Sequence, residues 1–233
     1  MLTRRLGASD LHVSVLGFGG APLGNLYKPV SDKDARDTLT VALQSGLNFF
    51  DTAPHYGAGL SERRIGDAVR GTDVKNCIVS TKVGRLLYPD SDADVDTLRH
   101  GFMTPMPFEQ RYDYSYDGIM RSWEDSLIRL GLASVDVLLV HDVGVDTHRE
   151  LHKDRWMELT AGGGYLALEK LRAGGQVQAI GLGVNEIEVC EAALGVGQFD
   201  CFLLGGRYTL LEQKGSLEFF SRCSAADTSI IAG

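Results

Sequence analysis

The chain has 233 residues, 44% hydrophobic and 23% charged, a globular composition with enough apolar material for a sizeable core. Its 23 Lys and Arg against 31 Asp and Glu leave a formal charge of -8, which argues against nucleic acid or an anionic membrane as a partner. Four scattered cysteines, with no CxxC pair, suggest neither zinc nor a disulfide framework. The opening MLTRRLGASDLHVSVLG lacks a leader-like apolar run, and no apolar stretch approaches the ~20 residues of a membrane helix, so a cytoplasmic protein is expected.

In chain order, Thr3 to Leu6 and Leu11 to Val13 read as a hairpin turning at Gly7 to Asp10. Strands are then expected at Val15 to Phe18, Leu47 to Phe50, Cys77 to Thr81, Val135 to Val140, Ala179 to Gly183, Cys201 to Leu204 and Thr228 to Ile231. They are nearly continuous apolar runs, as strands covered on both faces require. Helical period fills the gaps: Ser31 caps DKDARDTLTVALQSG, and SERRIGDAVRG, SYDGIMRSWEDSLIRLGL, YLALEKLRAGG, EIEVCEAALGVG and GSLEFFSRCSAAD follow the same grammar, several closing on Gly. Alternating strands and helices predict an α/β fold, a TIM (β/α)8-type barrel in one domain spanning 1–233, here with about seven strands and six intervening helices. One connection breaks the pattern. Gly84 to Tyr114 carries three prolines and no helical or strand period, yet its Tyr88, Phe102, Met103, Met106, Phe108, Tyr112 and Tyr114 predict a packed loop.

Reactive groups of a parallel barrel gather where strands end, because all strand C-termini share one rim. Asp51 follows strand two in NFFDTAPHYG, Lys82 ends strand three in IVSTKVG, and His141 ends strand four in VDVLLVHD; Tyr56 lies on the loop after Asp51. Each alone has a commonplace explanation: a salt-bridged rim residue, a packing histidine, a covering tyrosine. Together they form an acid/base set. A phenol titrates near ~10, and a neighbouring ammonium favours the phenolate, so Lys82 would activate Tyr56, Asp51 would hold Lys82, and a neutral His141 would orient the substrate oxygen. Nothing here is redox-active, so the electrons would pass to a hydride carrier, most economically a nicotinamide. A metal-dependent hydrolase is disfavoured because no HxH pair ends any strand.

NFFDTAPHYGAGLSERRIG, STKVGRLL, RSWEDSLIRLGL and DVLLVHD resemble successive motifs of the aldo/keto reductase superfamily, and the resemblance runs from LGFGGAPLGNLY to the last residues. GAPLGNLY, PHYGAGLSE, DYSYDGIMRSWEDSL and GRYTLLEQ are most similar to its aldose (L-fucose and D-threo-aldose) 1-dehydrogenases, with pyridoxal 4-dehydrogenase a relative. The resemblance implies an NAD- or NADP-dependent oxidoreductase acting on a small sugar or aldehyde, with aldose C1 oxidised to a lactone. It makes Asp51, Tyr56, Lys82 and His141 the catalytic tetrad, with Tyr56 as acid/base. Gly20, Ala21 and Asp51 would border the nicotinamide, Gly20 and Ala21 through their lack of bulk, and Asn185 would bind its carboxamide. Tyr56, His141, Tyr88 and Asp142 are candidate substrate contacts. Two positions depart from the family pattern: Val184 replaces a serine and Gly205 a glutamine, which implies a weaker or differently made grip on the nicotinamide.

The chain ends at DTSIIAG, which reads as strand seven. A closed barrel has eight strands, and the resemblance puts the pyrophosphate and adenosine contacts after strand seven. The expectation is therefore an incomplete barrel with open edges on strands one and seven, low solubility or partner-dependent stability, and, as the alternative function, a catalytically silent protein that does not bind the dinucleotide. NAD against NADP, the particular sugar, the redox direction and the oligomeric state have no signal in the sequence.

Overall fold

The computed structural model describes residues 1–71, 77–211 and 213–233, with backbone alone for 214 and 215; residue 212 of GRYTLLEQ lies outside them. A hairpin of β1 (Thr3–Arg5) and β2 (His12–Ser14) precedes seven parallel strands: β3 (Phe18–Gly19), β4 (Phe49–Asp51), β5 (Ile78–Val83), β10 (Val137–His141), β11 (Ala179–Val184), β12 (Cys201–Leu204) and β13 (Ser229–Ala232). The intervening strands are β6 (Arg85–Pro89), β7 (Leu98–Arg99), β8 (Phe102–Met103) and β9 (Phe108–Tyr112). The parallel sheet runs β13-β12-β11-β10-β5-β4-β3, its strands side by side in chain order as in the wall of a β/α barrel. β3 and β13 are its two edges and do not pair with each other.

Period-two alternation sorts the side chains of this wall. One face carries Phe50, Val79, Val83, Leu138, Val140, Ile180, Leu182, Phe202 and Leu204 into a core shared with the helices. The inner face carries Phe49, Val137, Leu139, Ala179 and Cys201, closed from below by Leu6 and Leu11 of the hairpin. Burying each of those two leucines contributes roughly 1.5–3 kcal/mol. Two steps along the same inner face from Phe49 and Leu139 come Asp51 and His141, and Lys82 lies level with Leu139 in the β5–β10 register. The inner face thus changes from apolar floor to polar rim within one strand length.

Helices α1 (Asp32–Gln44), α2 (Leu60–Arg70), α3 (Tyr116–Leu130), α6 (Gly164–Ala173), α7 (Ile187–Leu194) and α8 (Lys214–Ala225) stand where periodicity puts them. Ser31 caps α1 by accepting from the Asp34 amide at 3.1 Å, and α3 ends at Gly131 in the left-handed region, φ 63. Two further helices, α4 (Val145–His148) and α5 (His152–Leu159), have no counterpart in the sequence reading. α4 is a single turn, held because the Glu186 carboxylate accepts from the Val145 and Asp146 amides at 2.9 and 3.0 Å.

Three expectations change. Strand one is Phe18–Gly19 rather than Val15 to Phe18, because Val15 and Leu16 are exposed and pairing starts at Phe18 with Phe50. Asp51, Lys82 and His141 lie inside their strands, one or two residues later than the apolar runs implied. The Gly84 to Tyr114 connection is not without strands: β6 and β9 form an antiparallel ribbon over its base, and β7 and β8 a smaller one at its tip. Its packing is as expected, with Phe102 and Tyr114 buried and Tyr88, Met103, Met106, Phe108 and Tyr112 half-buried. All four cysteines are buried, and none is in a disulfide among the described residues. Among the described residues no helix is long and apolar enough to cross a membrane.

Candidate active site

Lys82 projects from the inner face of β5 with 1% exposure, and its stem lies against Gly183, where a Cβ would stand 2.9 Å from Lys82 Cε. A buried ammonium is costly unless every N–H is met. Its three donors find three acceptors: Asp51 Oδ2 at 2.6 Å, the Thr52 carbonyl at 2.9 Å and Tyr56 Oη at 2.9 Å. Ser80 Oγ donates to the other Asp51 oxygen at 2.9 Å, so the carboxylate is held at both ends. Burial alone would lower the Lys82 pKa, but the Asp51 carboxylate and the Tyr56 oxygen reverse that and raise it, so Lys82 remains a cation.

Because Tyr56 Oη accepts from Lys82, its own O–H is left to point elsewhere. The Tyr56 pKa is raised, chiefly by burial, with Lys82 pulling it back down. Lys82 therefore acts in the expected direction without overcoming desolvation: the phenol is protonated at neutral pH. His141 stands edge-on to Tyr56, ring centroids 5.8 Å apart at 89°. Burial first, then the Arg85 and Lys82 cations, hold its pKa well below the ordinary value, so the imidazole is neutral. Among the described residues its buried Nδ1 has no hydrogen-bond partner, and its Nε2 lies 3.4 Å from Asp142 Oδ2.

These side chains open onto a cleft of about 300 Å³ lined by Tyr56, Lys82, His141, Asp142, Asn185 and Ala21, with Gly183, Val184 and Leu203 along one wall. Leu26, Tyr27, His55, His100, Gly101 and Phe102 complete its lining. Little in the sequence points to these six residues. Only His55 carried a local signal, through its place beside Tyr56; the others come from two loops joined by the Leu26 and Phe102 bridge and by Tyr27 N donating to the Gly101 carbonyl at 2.9 Å.

The remaining expected residues divide. Asn185 is exposed at the rim, its Nδ2 3.4 Å from Asp142 Oδ1. Gly205 explains itself: a Cβ there would lie 2.4 Å from Asn185 Oδ1, so the space of a side chain holds the Asn185 amide. Gly20 is buried beneath the cleft. A Cβ would meet the Asp51 carbonyl, Ser61 Oγ and Ile65 within 2.8 Å, so its bareness serves packing under Asp51 rather than approach to a ligand, while Ala21 does face the cleft. Tyr88 does not face it. The Tyr88 ring sits between the Arg111 and Arg121 guanidinium groups at 4.6 and 4.5 Å, and its hydroxyl accepts from Arg121 at 2.8 Å, so it is not retained as a substrate contact. Asp142 lines the cleft, in the left-handed region at φ 46, but its carboxylate is ion-paired with Arg85.

A nicotinamide ring is flat, apolar on its faces and carries one amide. Gly183, Val184 and Leu203 beside the exposed Asn185 amide suit such a group. Among the described residues no three His, Cys, Asp or Glu side chains converge as metal donors.

The fold and site define a β/α-barrel protein with an acid/base cluster on the carboxyl rim of its strands. The aldo/keto reductase family model matches residues 15–232, and the chain belongs to that family. It is 44% identical over 223 residues to the pyridoxal 4-dehydrogenase of Microbacterium luteolum, an alignment covering 93% of this chain and 65% of that protein. It is 37% identical over 228 residues to a D-threo-aldose 1-dehydrogenase of a Pseudomonas species, covering 97% and 66%. The holo form of aldo-keto reductase AKR11C1 from Bacillus halodurans superposes with a TM-score of 0.73 at 26% identity, covering 100% of this chain and 65% of that one. The chain thus spans just under two thirds of the length of these relatives.

Proposed function

We propose that the protein is an NAD- or NADP-dependent oxidoreductase that moves hydride between the nicotinamide and the carbonyl or hemiacetal carbon of a small aldehyde or sugar, with aldose C1 oxidation to a lactone as the preferred reaction. The observation that carries this reading is the buried Lys82 ammonium with its three acceptors, Asp51, Thr52 and Tyr56, beside a cleft that Tyr56 and Lys82 both line. The nicotinamide, when bound, supplies the hydride acceptor or donor. Asn185 would hold its carboxamide, and Ala21, Gly183, Val184 and Leu203 would border its ring.

The chain's own residues manage the proton. In oxidation, the C1 hydroxyl gives its proton to the Tyr56 phenolate as the C1 hydrogen leaves with its electron pair and the C1–O bond becomes a carbonyl. In reduction, the Tyr56 phenol donates to the carbonyl oxygen as hydride arrives at the carbon. Lys82 stabilises the phenolate in either direction, and Asp51 keeps Lys82 in reach. Neutral His141 donates to the reacting oxygen without competing for its proton.

Incubating the purified protein with an aldose and NAD or NADP tests the reading. Appearance of reduced nicotinamide with stoichiometric lactone supports it; no saturable binding of either dinucleotide and no turnover would overturn it.

A further inference from the structure

His55 is adjacent to Tyr56 in sequence and lines the cleft, yet the proton transfer above does not use it. Its Nδ1 lies 2.8 Å from Gln110 Oε1. An amide oxygen only accepts, so Nδ1 carries the proton and Nε2 the lone pair. Gln110 therefore makes Nε2 an acceptor, and Nε2 has no partner among the described residues. The ring is fixed edge-on to Phe102 (5.1 Å, 86°) and to His141 (5.7 Å, 71°), and it lies 6.3 Å from Tyr56. Burial, followed by the nearby Arg85 cation, lowers its pKa to about 3, so it offers no positive charge to a carboxylate or phosphate.

An oxygen held by His141 and Tyr56 would thus have an uncharged acceptor one imidazole away. With the two ring centroids 5.7 Å apart, a ligand whose reacting oxygen meets His141 would bring its next carbon toward His55.

We propose that His55 is a specificity-determining residue whose Nε2 accepts a hydrogen bond from the hydroxyl on the carbon next to the reacting one, so that the cleft selects 2-hydroxyaldehydes and aldoses over their 2-deoxy counterparts. This rests on the reading that Tyr56 and His141 flank the reacting oxygen. The cleft is open to water, which can satisfy Nε2 in part, so the preference is about tenfold, the scale of one ordinary hydrogen bond.

Two measurements on the whole protein test it. In the first, nitrogen-15 NMR of the imidazoles, with His55 assigned by its loss in His55→Phe, should show the Nδ1–H tautomer at neutral pH. Its Nε2 resonance should move on adding an aldose and stay still with the 2-deoxyaldose. In the second, His55→Phe, which keeps a flat ring but no acceptor, should cut the kcat/KM ratio of aldose over 2-deoxyaldose about tenfold, almost wholly through the aldose. An Nε2–H tautomer, a resonance indifferent to the hydroxyl, or a ratio unmoved by His55→Phe overturns the inference. Failure of the functional reading looks different: the wild type turns over neither sugar, and the NMR titration, which needs no turnover, then decides the role of His55 by itself.

Discussion

At the scale of single residues, the site turns on two opposed effects at Tyr56. Burial pushes the phenol up and Lys82 pulls it down, with burial the larger. The oxidation rate should therefore climb with pH as the phenolate fraction grows. Replacing the cation removes only the lowering influence, so Lys82→Met should displace that climb to higher pH and reduce the rate by about a hundredfold or more near neutrality. A pH profile that falls without moving would mean that Lys82 does not tune Tyr56. Gly205 makes a second case. An added Cβ would crowd Asn185 Oδ1 at 2.4 Å, and the amide can swing away. Gly205→Ala should weaken nicotinamide binding about tenfold, some 1.4 kcal/mol, with the melting temperature little changed; fluorescence titration of the reduced dinucleotide reads this directly.

Asp51, Lys82 and His141 could be picked out in the sequence because each interrupts or ends an apolar strand, where an ionisable side chain needs a reason. Gln110 and Arg85 could not, because their partners, His55 and Asp142, are 55 and 57 residues away. Gly20 is a related case: a bare residue next to a cleft can be bare toward the protein.

At the scale of elements, α2 shows what ties helix to wall. Glu62 is fully buried, accepting from Thr81 Oγ1 at 2.7 Å and paired with Arg129 of α3. Thr81 points outward because Lys82, its neighbour on β5, points inward. Arg129→Met should strand the carboxylate and destabilise the fold by about 3–5 kcal/mol. Adding Glu62→Gln should restore part of that loss, as chemical denaturation would measure, whereas an additive second loss would exclude a coupled pair.

The long helices were legible because caps and period agree over several turns. α4 was not: its single turn is held by the Glu186 carboxylate, from the start of α7. The β6 and β9 ribbon escaped for the same kind of reason. Gln110 stands between Phe108 and Tyr112 on the inward-facing alternation of β9, which breaks the apolar period, and it is there to hold His55.

At the scale of the molecule, seven parallel strands in chain order could be read from continuous apolar runs. What those runs could not convey is the layering of the inner face, from the hairpin's Leu6 and Leu11, through Phe49, Val137 and Leu139, to Asp51, Lys82 and His141. That layering makes the site a place where water is scarce below and a cleft opens above. The lining of the cleft draws on both ends of the sequence, Leu26 and Tyr27 as well as Leu203.

On the proposed function, this arrangement moves a proton at Tyr56. Tyr56→Phe keeps the ring while removing the oxygen that accepts from Lys82 and faces the cleft. Aldose oxidation followed under single-turnover conditions should fall by about a hundredfold or more, with dinucleotide affinity unchanged; an unaltered rate would contradict the claim.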